Sequence, residues 1–319
     1  GVFHSDINDD DLLGQTGEKG FGLWPGIPFM NELPFFALQK RVILSNCGCY
    51  NPESIEEYIS RGGYRTFIKT IRHYTSEEVC DIIERSGLRG RSGGGYLTGL
   101  KWKQALTTPS NSRYLICNAK ESDPGSFSDR TILESDPHRL IEGMAISAYA
   151  IGASNATLYL KSGSDHALAR FLKALEWARE YSIIGHDIYS SGYNLEITVR
   201  VEPGAFVCGE ETALINSLEG KRGMPQLKPP YPTSSGLAGK PTVINNVETL
   251  MNVPLIMRYG PEWFRGFGTE KSPGTKILAI TGRGRMSGVV EVEMGTTIRK
   301  VVEDIVDGIR DGKDFKAVQ

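Results

Sequence analysis

An α/β fold built on a mainly parallel sheet is what this sequence predicts, on three observations. From Ser76 onward, short apolar runs of strand length alternate with stretches of helical period, the order that βαβ units require. Polar clusters follow directly on two of those runs, where the carboxyl ends of parallel strands present their loops. Glycine accounts for 37 of 319 residues, about 12% against a usual ~7%. In a chain with 39% hydrophobic and 23% charged residues, that excess marks main chain held close to a ligand rather than disorder.

The elements follow in order. Residues 1–65 read as an arm: Gly14 to Pro34 is rich in Gly, Pro and aromatic residues without a clear period, as in a segment laid over another surface, and Ser54 to Ile59 suits a short helix after Asn51-Pro52. Ser76-Glu77-Glu78-Val79 opens a helix with a cap and early acids that stops at Ser86-Gly87. A glycine loop spans Gly90 to Gly99, and Tyr114 to Asn118 is a short buried strand. Asp136-Pro137 starts a helix through Ile141, Met144, Ala145 and Ala148 to Gly152, and Ala156 to Leu160 is a second strand. Leu168, Phe171, Leu172, Leu175 and Ala178 give Asp165 to Tyr181 a helical period, and Leu195 to Val201 alternates as a strand. Pro225 to Pro241 is a loop and Thr249 to Tyr259 a helix. Composition then shifts: Lys276 to Thr281 and Val289 to Glu293 pair as strands and Thr296 to Val306 forms a helix. This is the start of a small second domain, giving boundaries of 1–65, 66–262 and 263–319.

Composition excludes several function classes. Thirty-six basic residues against 38 acidic, net −2, give no nucleic-acid surface. No window approaches the ~18 apolar residues of a spanning helix. Cys47, Cys49, Cys80, Cys117 and Cys208 are odd in number and irregularly spaced, which argues against a disulfide framework and for a reducing compartment. Gly1 to Asp11 has neither a basic region nor an apolar stretch of a signal peptide, so a cytoplasmic address is expected. Cys47-Gly48-Cys49 has no second ligand pair and the five histidines no metal spacing, so no metal site is expected.

Three clusters carry the chemistry. In Gly87 to Trp102, a Walker A loop fails because Leu100 follows Gly99, and Gly90-Arg91-Ser92-Gly93-Gly94 matches G-x-S-x-G without the preceding strand a nucleophile elbow needs. The remaining readings are a flexible surface loop or a ribbon of amides around an anion or a flat ring, with Arg89, Arg91 and Lys101 supplying positive charge. Asn118 to Gly125 follows a strand: Asn118 suits the edge of a heterocycle, and Glu121 and Asp123 suit sugar hydroxyls, unless the segment is simply an acidic turn. Gly204 to Thr212 offers Glu210 and Glu211 for ribose hydroxyls or acid–base work, or as first-turn acids of a helix. Asn245 and Asn246 are two adjacent amides before a helix, where capping is the plain alternative.

Together these clusters resemble the flavin-bearing, NADH-oxidising subunit of respiratory complex I and the related diaphorase subunits of NAD-linked or electron-bifurcating hydrogenases and formate dehydrogenases. From about Cys47 onward, the segments 90–102, 118–130, 204–214, 228–232 and 244–250 occur in the family's order and spacing. The resemblance implies a Rossmann-like domain holding FMN, followed by the start of a ubiquitin-like α+β domain. It implies that Gly90, Arg91, Gly93, Gly94 and Lys101 line the flavin, with Asn118, Asp123, Phe206, Gly209, Glu210, Glu211, Asn245, Asn246 and Thr249 completing its bed. It places Tyr96, Glu121, Glu211, Lys228 and Tyr231 on the side of the nicotinamide nucleotide, with Glu121 and Glu211 nearest the chemistry. The implied activity is oxidation of NAD(P)H by FMN, with electrons passed singly to iron–sulfur subunits of a larger complex, a thioredoxin-like [2Fe–2S] subunit among them. The alternative is a relay or structural subunit that keeps FMN and has lost nicotinamide oxidation. Departures motivate it: Lys120 stands where the family has aspartate, Asp123 replaces glutamate, Phe206 replaces tyrosine, Tyr96-Leu97 replaces Phe-Pro, and Gln104 replaces an aromatic that stacks on adenine. The family continues into a helical domain with a [4Fe–4S] cluster whose cysteine run is absent here. The unfinished second domain makes this sequence the expected piece of a longer chain rather than a member that lost the cluster.

Overall fold

The structure, a computed structural model, describes residues 29–202 and 205–319; residues 1–28 of the expected arm, and Gly204, lie outside them. Strands β1 (Tyr114–Ala119), β2 (Asn155–Lys161), β3 (Glu196–Glu202) and β4 (Thr242–Asn246) form one sheet in the order β3-β2-β1-β4. Every pairing in it is parallel. β1 therefore lies between β2, the next strand along the chain, and β4, the last of the sheet, and the order reverses there. Such a switch point leaves a crevice at the carboxyl ends of β1 and β4. The register puts Asn118 beside Asn246 at one level, with Asn245 one residue earlier beside Cys117.

Period-two side-chain alternation sends neighbours of a strand to opposite faces. Leu115, Cys117 and Ala119 join the main core with Ile141, Met144 and Phe171, whereas Ile116, Tyr159 and Ile244 pack against Leu214 and Ile215 of the Glu211–Leu218 helix. Burial on both faces explains why these strands read as short continuous apolar runs. The Ser76–Ser86 helix starts in a capping box: Thr75 Oγ1 accepts from Glu78 N, and the Glu78 carboxylate accepts from Thr75 N. It ends at Gly87, φ 70°.

Some elements differ from the sequence reading. A helix begins at Thr98 and runs to Thr107, so Lys101 and Trp102 are helical rather than part of a loop. Gly99 belongs there because a Cβ would lie 2.4 Å from Glu84 N; this glycine lets two helices touch and marks no loop. Helices Arg65–His73 and Ser128–Ser135 were unforeseen. The second runs almost directly into Pro137–Ala150, with Asp136 ending one and capping the next. Ile244 to Asn246 belongs to a strand, and the following helix starts at Val247. The expected helix at 296–306 is one α-helical turn, Ile298–Lys300, continued by a π turn over Val301–Ile305.

β5 (Thr275–Ile280) and β6 (Gly288–Glu293) pair antiparallel and share a small core with Val301, Ile305 and Val306. The chain between 29 and 65 lies over both units: Phe35 enters the hairpin's core, while Ile43, Leu44 and Ile55 enter the main one. One carboxylate fixes that crossing. Glu291, fully buried on β6, accepts from Val42 N, Ile43 N and Leu44 N at 2.8–2.9 Å and from Thr275 Oγ1 at 2.5 Å.

Candidate functional site

The glycine-rich stretch closes on itself. Gly90 N donates to Tyr96 O and Thr98 N to Leu88 O, both at 2.9 Å, and Arg89 Nη1 donates to Gly95 O at 2.9 Å. Within this ribbon Gly93 (φ 113°) and Gly95 (φ 62°) take left-handed conformations that a side chain would strain. A Cβ at Gly93, Gly94 or Gly95 would meet nothing within 4 Å, so bare main chain borders open space. The ribbon is pinned by its own backbone to the Val247–Tyr259 helix that follows β4: Arg91 N donates to Thr249 Oγ1 at 3.0 Å.

The amides at the switch point are partly committed. Asn118 Nδ2 donates to Gly209 O at 3.0 Å, and its Oδ1 accepts from Lys120 N at 3.1 Å. Asn245 Oδ1 accepts from Trp102 Nε1 at 2.9 Å, and Asn246 Oδ1 caps the Val247–Tyr259 helix through Thr249 N and the Thr249 hydroxyl. The NH2 groups of Asn245 and Asn246 have no acceptor among the described residues, which leaves donors at the wall of the crevice.

Opposite them lies a charge chain. Lys101 Nζ donates to Glu211 Oε2 at 3.1 Å and to Ile244 O at 2.9 Å. Lys228 Nζ bridges Glu211 Oε1 at 2.5 Å and Glu210 Oε1 at 3.0 Å. The other Glu210 oxygen accepts from Thr212 N at 2.8 Å, Ala213 N at 3.1 Å and the Thr212 hydroxyl, capping the helix that follows. Burial pushes the Glu211 carboxyl up, but Lys101 and Lys228 overrule it and hold it below the usual range. Glu210 is likewise lowered: burial raises it, while Thr212 and Lys228 outweigh that. A depressed carboxylate contributes stability above its unfolded value, ~4.3, and loses it as pH falls through the lower folded value. Glu211→Gln is therefore expected to melt below the parent at pH 6, with the gap closing under about pH 4. A gap unchanged from pH 6 to pH 3 in thermal melts would contradict this.

Ribbon, strand ends and the loop around Lys228 enclose a cavity of about 740 Å³. It collects Gly90, Gly94, Tyr96, Lys101, Asn118, Gly209, Glu210, Glu211, Lys228, Tyr231, Asn245, Asn246 and Thr249. A second cavity of about 570 Å³ shares the wall made by Ser92, Asn118, Gly209, Glu210 and Asn246. Arg91, Glu121, Asp123 and Phe206 line that second space and not the larger one. Gly93 sits in the ribbon and borders neither.

Several of these side chains have local tasks. The Arg91 guanidinium is turned away from the ribbon, donating to Pro273 O at 2.7 Å, and its buried Nε has no partner among the described residues. Glu121 caps the Ser128–Ser135 helix, accepting from Ser126 and Ser128 hydroxyls, Asp129 N and Arg130 N at 2.6–3.2 Å. Asp123 accepts from Gly125 N at 2.9 Å within a turn. Phe206 is 75% exposed. Lys120 is buried and donates to Glu202 O at 3.4 Å; burial holds its ammonium below the ordinary value. Ser92 lies in a turn of the ribbon, not at a strand-to-helix elbow.

Gln104, which the sequence reading counted among the departures from the family and not among the site residues, lines the larger cavity beside Lys101, three residues earlier on the same helix. Sequence reasoning missed some residues of the second cavity. Asp129, Glu248 and Lys276 line the second. Burial pushes Asp129 well above the carboxylate range, with Glu121 and Glu248 adding to it. Nothing local in the sequence marks that trio. Among the described residues no group of three or more His, Cys, Asp or Glu side chains is arranged to hold a metal ion, and no helix is long and apolar enough to cross a membrane.

Comparison with known proteins gives the context of this crevice. Residues 83–255, more than half of the chain, match the family model described as the Nuo51 FMN-binding domain. Over 281 residues the chain is 49% identical to the NADP-reducing hydrogenase subunit HndC of Solidesulfovibrio fructosivorans, covering 88% of this chain and 57% of that protein. Over 265 residues it is 48% identical to the F subunit of the NADH-quinone oxidoreductase of Aquifex aeolicus, covering 83% and 62%. The chain thus spans about six-tenths of the length of these relatives. Among solved structures it is similar to a chain of an NAD+-reducing [NiFe]-hydrogenase in the H2-reduced state, with a TM-score of 0.73 and 34% identity, covering 88% of this chain and 46% of that one.

Proposed function

The chain belongs to the family of Nuo51 FMN-binding domains, and from that membership we propose that it holds FMN at the β1/β4 crevice and serves in the oxidation of NAD(P)H within a larger redox assembly. The observation that carries the reading is the bare main chain of Gly94 and Gly95, lining the same cavity as the amides of Asn118, Asn245 and Asn246. The residues present fit the group. A flat ring needs main chain without side chains beside it. Its polar edge needs amide donors and acceptors, and its phosphate needs cations such as Lys101.

When bound, FMN supplies acceptance of a hydride as an electron pair and release of electrons one at a time. The protein's part is placement. Asn245 and Asn246 offer NH2 groups whose direction is fixed by bonds to Trp102 and Thr249. Glu211, charged and held by two lysines, orients Lys101 and Lys228 so that both ammonium groups line the cavity. Lys228 and the half-exposed rings of Tyr96 and Tyr231 sit at the mouth, suited to a nucleotide's phosphates and base. Glu121 is saturated by its helix cap, so in this reading it shapes the wall beside the nicotinamide rather than exchanging protons. Asp123 and Phe206 border the second cavity and would meet only the part of the ligands that reaches there.

We place the protein in the cytoplasm, on the strength of five unpaired cysteines. We read its electron acceptors as iron–sulfur subunits, a thioredoxin-like [2Fe–2S] subunit among them. The names of its relatives, one an NADP-reducing hydrogenase subunit and others subunits of NADH-quinone oxidoreductases, support such an assembly and leave NADH and NADPH both open. The FMN-loaded protein, titrated anaerobically, is expected to bleach near-stoichiometrically with NADH or NADPH. Flavin that stays oxidised with both nucleotides would favour the relay alternative; a protein that cannot be loaded with FMN would end the reading altogether.

A further inference from the structure

Away from the crevice, a pocket of about 350 Å³ lies between the start of the Arg65–His73 helix and the last turns of the Val247–Tyr259 helix. It shares no lining residue with either cavity described above. Charge on its wall is unbalanced. Arg139 is paired with Asp136 at 3.1 Å, and the Glu142 carboxylate accepts from the Tyr58 hydroxyl at 2.5 Å and from Phe67 N at 3.1 Å. Arg61 and Arg258 have no carboxylate partner among the described residues. Arg61 Nη2 donates to Cys49 O at 2.5 Å, and Arg258 Nη1 reaches Arg61 O at 3.5 Å. The Arg258 guanidinium lies against Gly62, where a Cβ would sit 3.1–3.4 Å from three of its atoms. Thr66 adds a buried donor. It is 8% exposed, lines the pocket from the first turn of its helix, and neither its hydroxyl nor its amide has a partner among the described residues. An unsatisfied amide in a first turn carries the positive end of the helix dipole.

Two unmatched guanidinium groups, a buried hydroxyl and a first-turn amide are all donors, and an anion with several oxygens satisfies them together. We propose that this pocket binds the phosphate group of a small phosphomonoester: Arg61, Arg258 and Thr66 donate to the phosphate oxygens, and the organic part lies on Pro254, Leu255 and Tyr259. The two arginine charges match the charge of about −1.5 to −2 that such a group carries at pH 7. The volume falls at the low end of small-molecule pockets, about 300–1,000 Å³, and leaves room for more than a bare phosphate. The Tyr259 ring is 51% exposed and lies 5.3 Å from the Arg258 guanidinium carbon, which puts an apolar face beside the cation. The site is independent of the flavin and nucleotide readings above.

The test titrates phenyl phosphate and inorganic phosphate calorimetrically into the full chain, with and without added FMN and NAD+. Phenyl phosphate is expected to bind once per chain, more tightly than inorganic phosphate, and to stay bound when FMN and NAD+ are present. Arg61→Met and Arg258→Met, both at exposed positions, are each expected to weaken it about 10- to 100-fold. Thr66→Val keeps the shape of the side chain and is expected to weaken it about 2- to 10-fold. Equal affinity for the two phosphates would overturn the role of Pro254, Leu255 and Tyr259. Arginine variants that weaken binding while Thr66→Val leaves it unchanged would put the anion on the charged rim and overturn its seat in the pocket. Absence of binding, displacement by FMN or NAD+, or affinity unmoved in both arginine variants would overturn the site itself, with flavin loading and bleaching left standing as separate measurements.

Discussion

Lys101→Ala protein is expected to leave purification with most of its flavin lost and its FMN dissociation constant raised roughly 10- to 100-fold. That magnitude follows from a charge-assisted hydrogen bond, about 1.5–3 kcal/mol, at 1.4 kcal/mol per factor of ten. Lys101 lies one turn into the Thr98–Thr107 helix, and its ammonium is held at the cavity wall by Glu211 Oε2 and Ile244 O. Removing it deletes the cation and leaves Glu211 with Lys228 alone, so an anionic ligand meets a less favourable wall twice over. Lys173→Ala is the control. Its ammonium pairs with Glu176 on the exposed face of the Asp165–Glu180 helix, and flavin content should not change. Flavin-to-protein absorbance ratios and a fluorescence titration of the apoprotein read both variants. Equal retention in the two would remove Lys101 from the FMN site.

A larger effect on folding is expected at Glu291. Its carboxylate satisfies three consecutive backbone amides, of Val42, Ile43 and Leu44, together with the Thr275 hydroxyl, in a fully buried setting. Glu291→Ala strands those donors where water cannot reach them easily. At about 1–3 kcal/mol for each stranded buried donor, and with partial relaxation of the segment, a loss of about 3–5 kcal/mol is expected in urea denaturation. Glu303→Ala, which removes only the exposed Arg299–Glu303 pair, should cost under about 1 kcal/mol. A Glu291→Ala loss as small as that of Glu303→Ala would show that the segment at 42–44 is held by its apolar contacts alone. The chemistry of the crevice should survive this substitution longer than the seating of the β5–β6 hairpin, since the carboxylate joins residues 42–44 to that hairpin and not to the sheet.

Much of the candidate site was legible because its parts are local. Strand, then Asn118; Asn245 and Asn246 before a helix; glycines clustered between Gly90 and Gly99: each is a short signal whose meaning comes from the chemistry of a few adjacent residues. Three things were not legible. Lys101 and Gln104 share a wall only because a helix starts at Thr98, and Gly99, which reads as loop, is required there by the approach of Glu84 N. Arg91 reads as a cation for the ribbon, yet its guanidinium is drawn to Pro273 O, a partner 182 residues away. Glu121 reads as a ligand for hydroxyls, and its oxygens are taken up by a helix that the sequence did not announce.

What the sequence determined by itself is the α/β class, the positions of every strand but β4 within a residue or two, and the glycine, amide and carboxylate clusters of the candidate site. Those depend on periodicity and on short-range chemistry, both of which are written along the chain. Only the tertiary structure decided the strand order β3-β2-β1-β4, the pairing of Asn118 with Asn246, and the chain of charges from Lys101 through Glu211 to Lys228. Each of those joins residues distant along the chain or sets the direction of a side chain. Direction is chosen by whichever partner lies within about 3 Å once the chain has packed, and no local pattern carries that information.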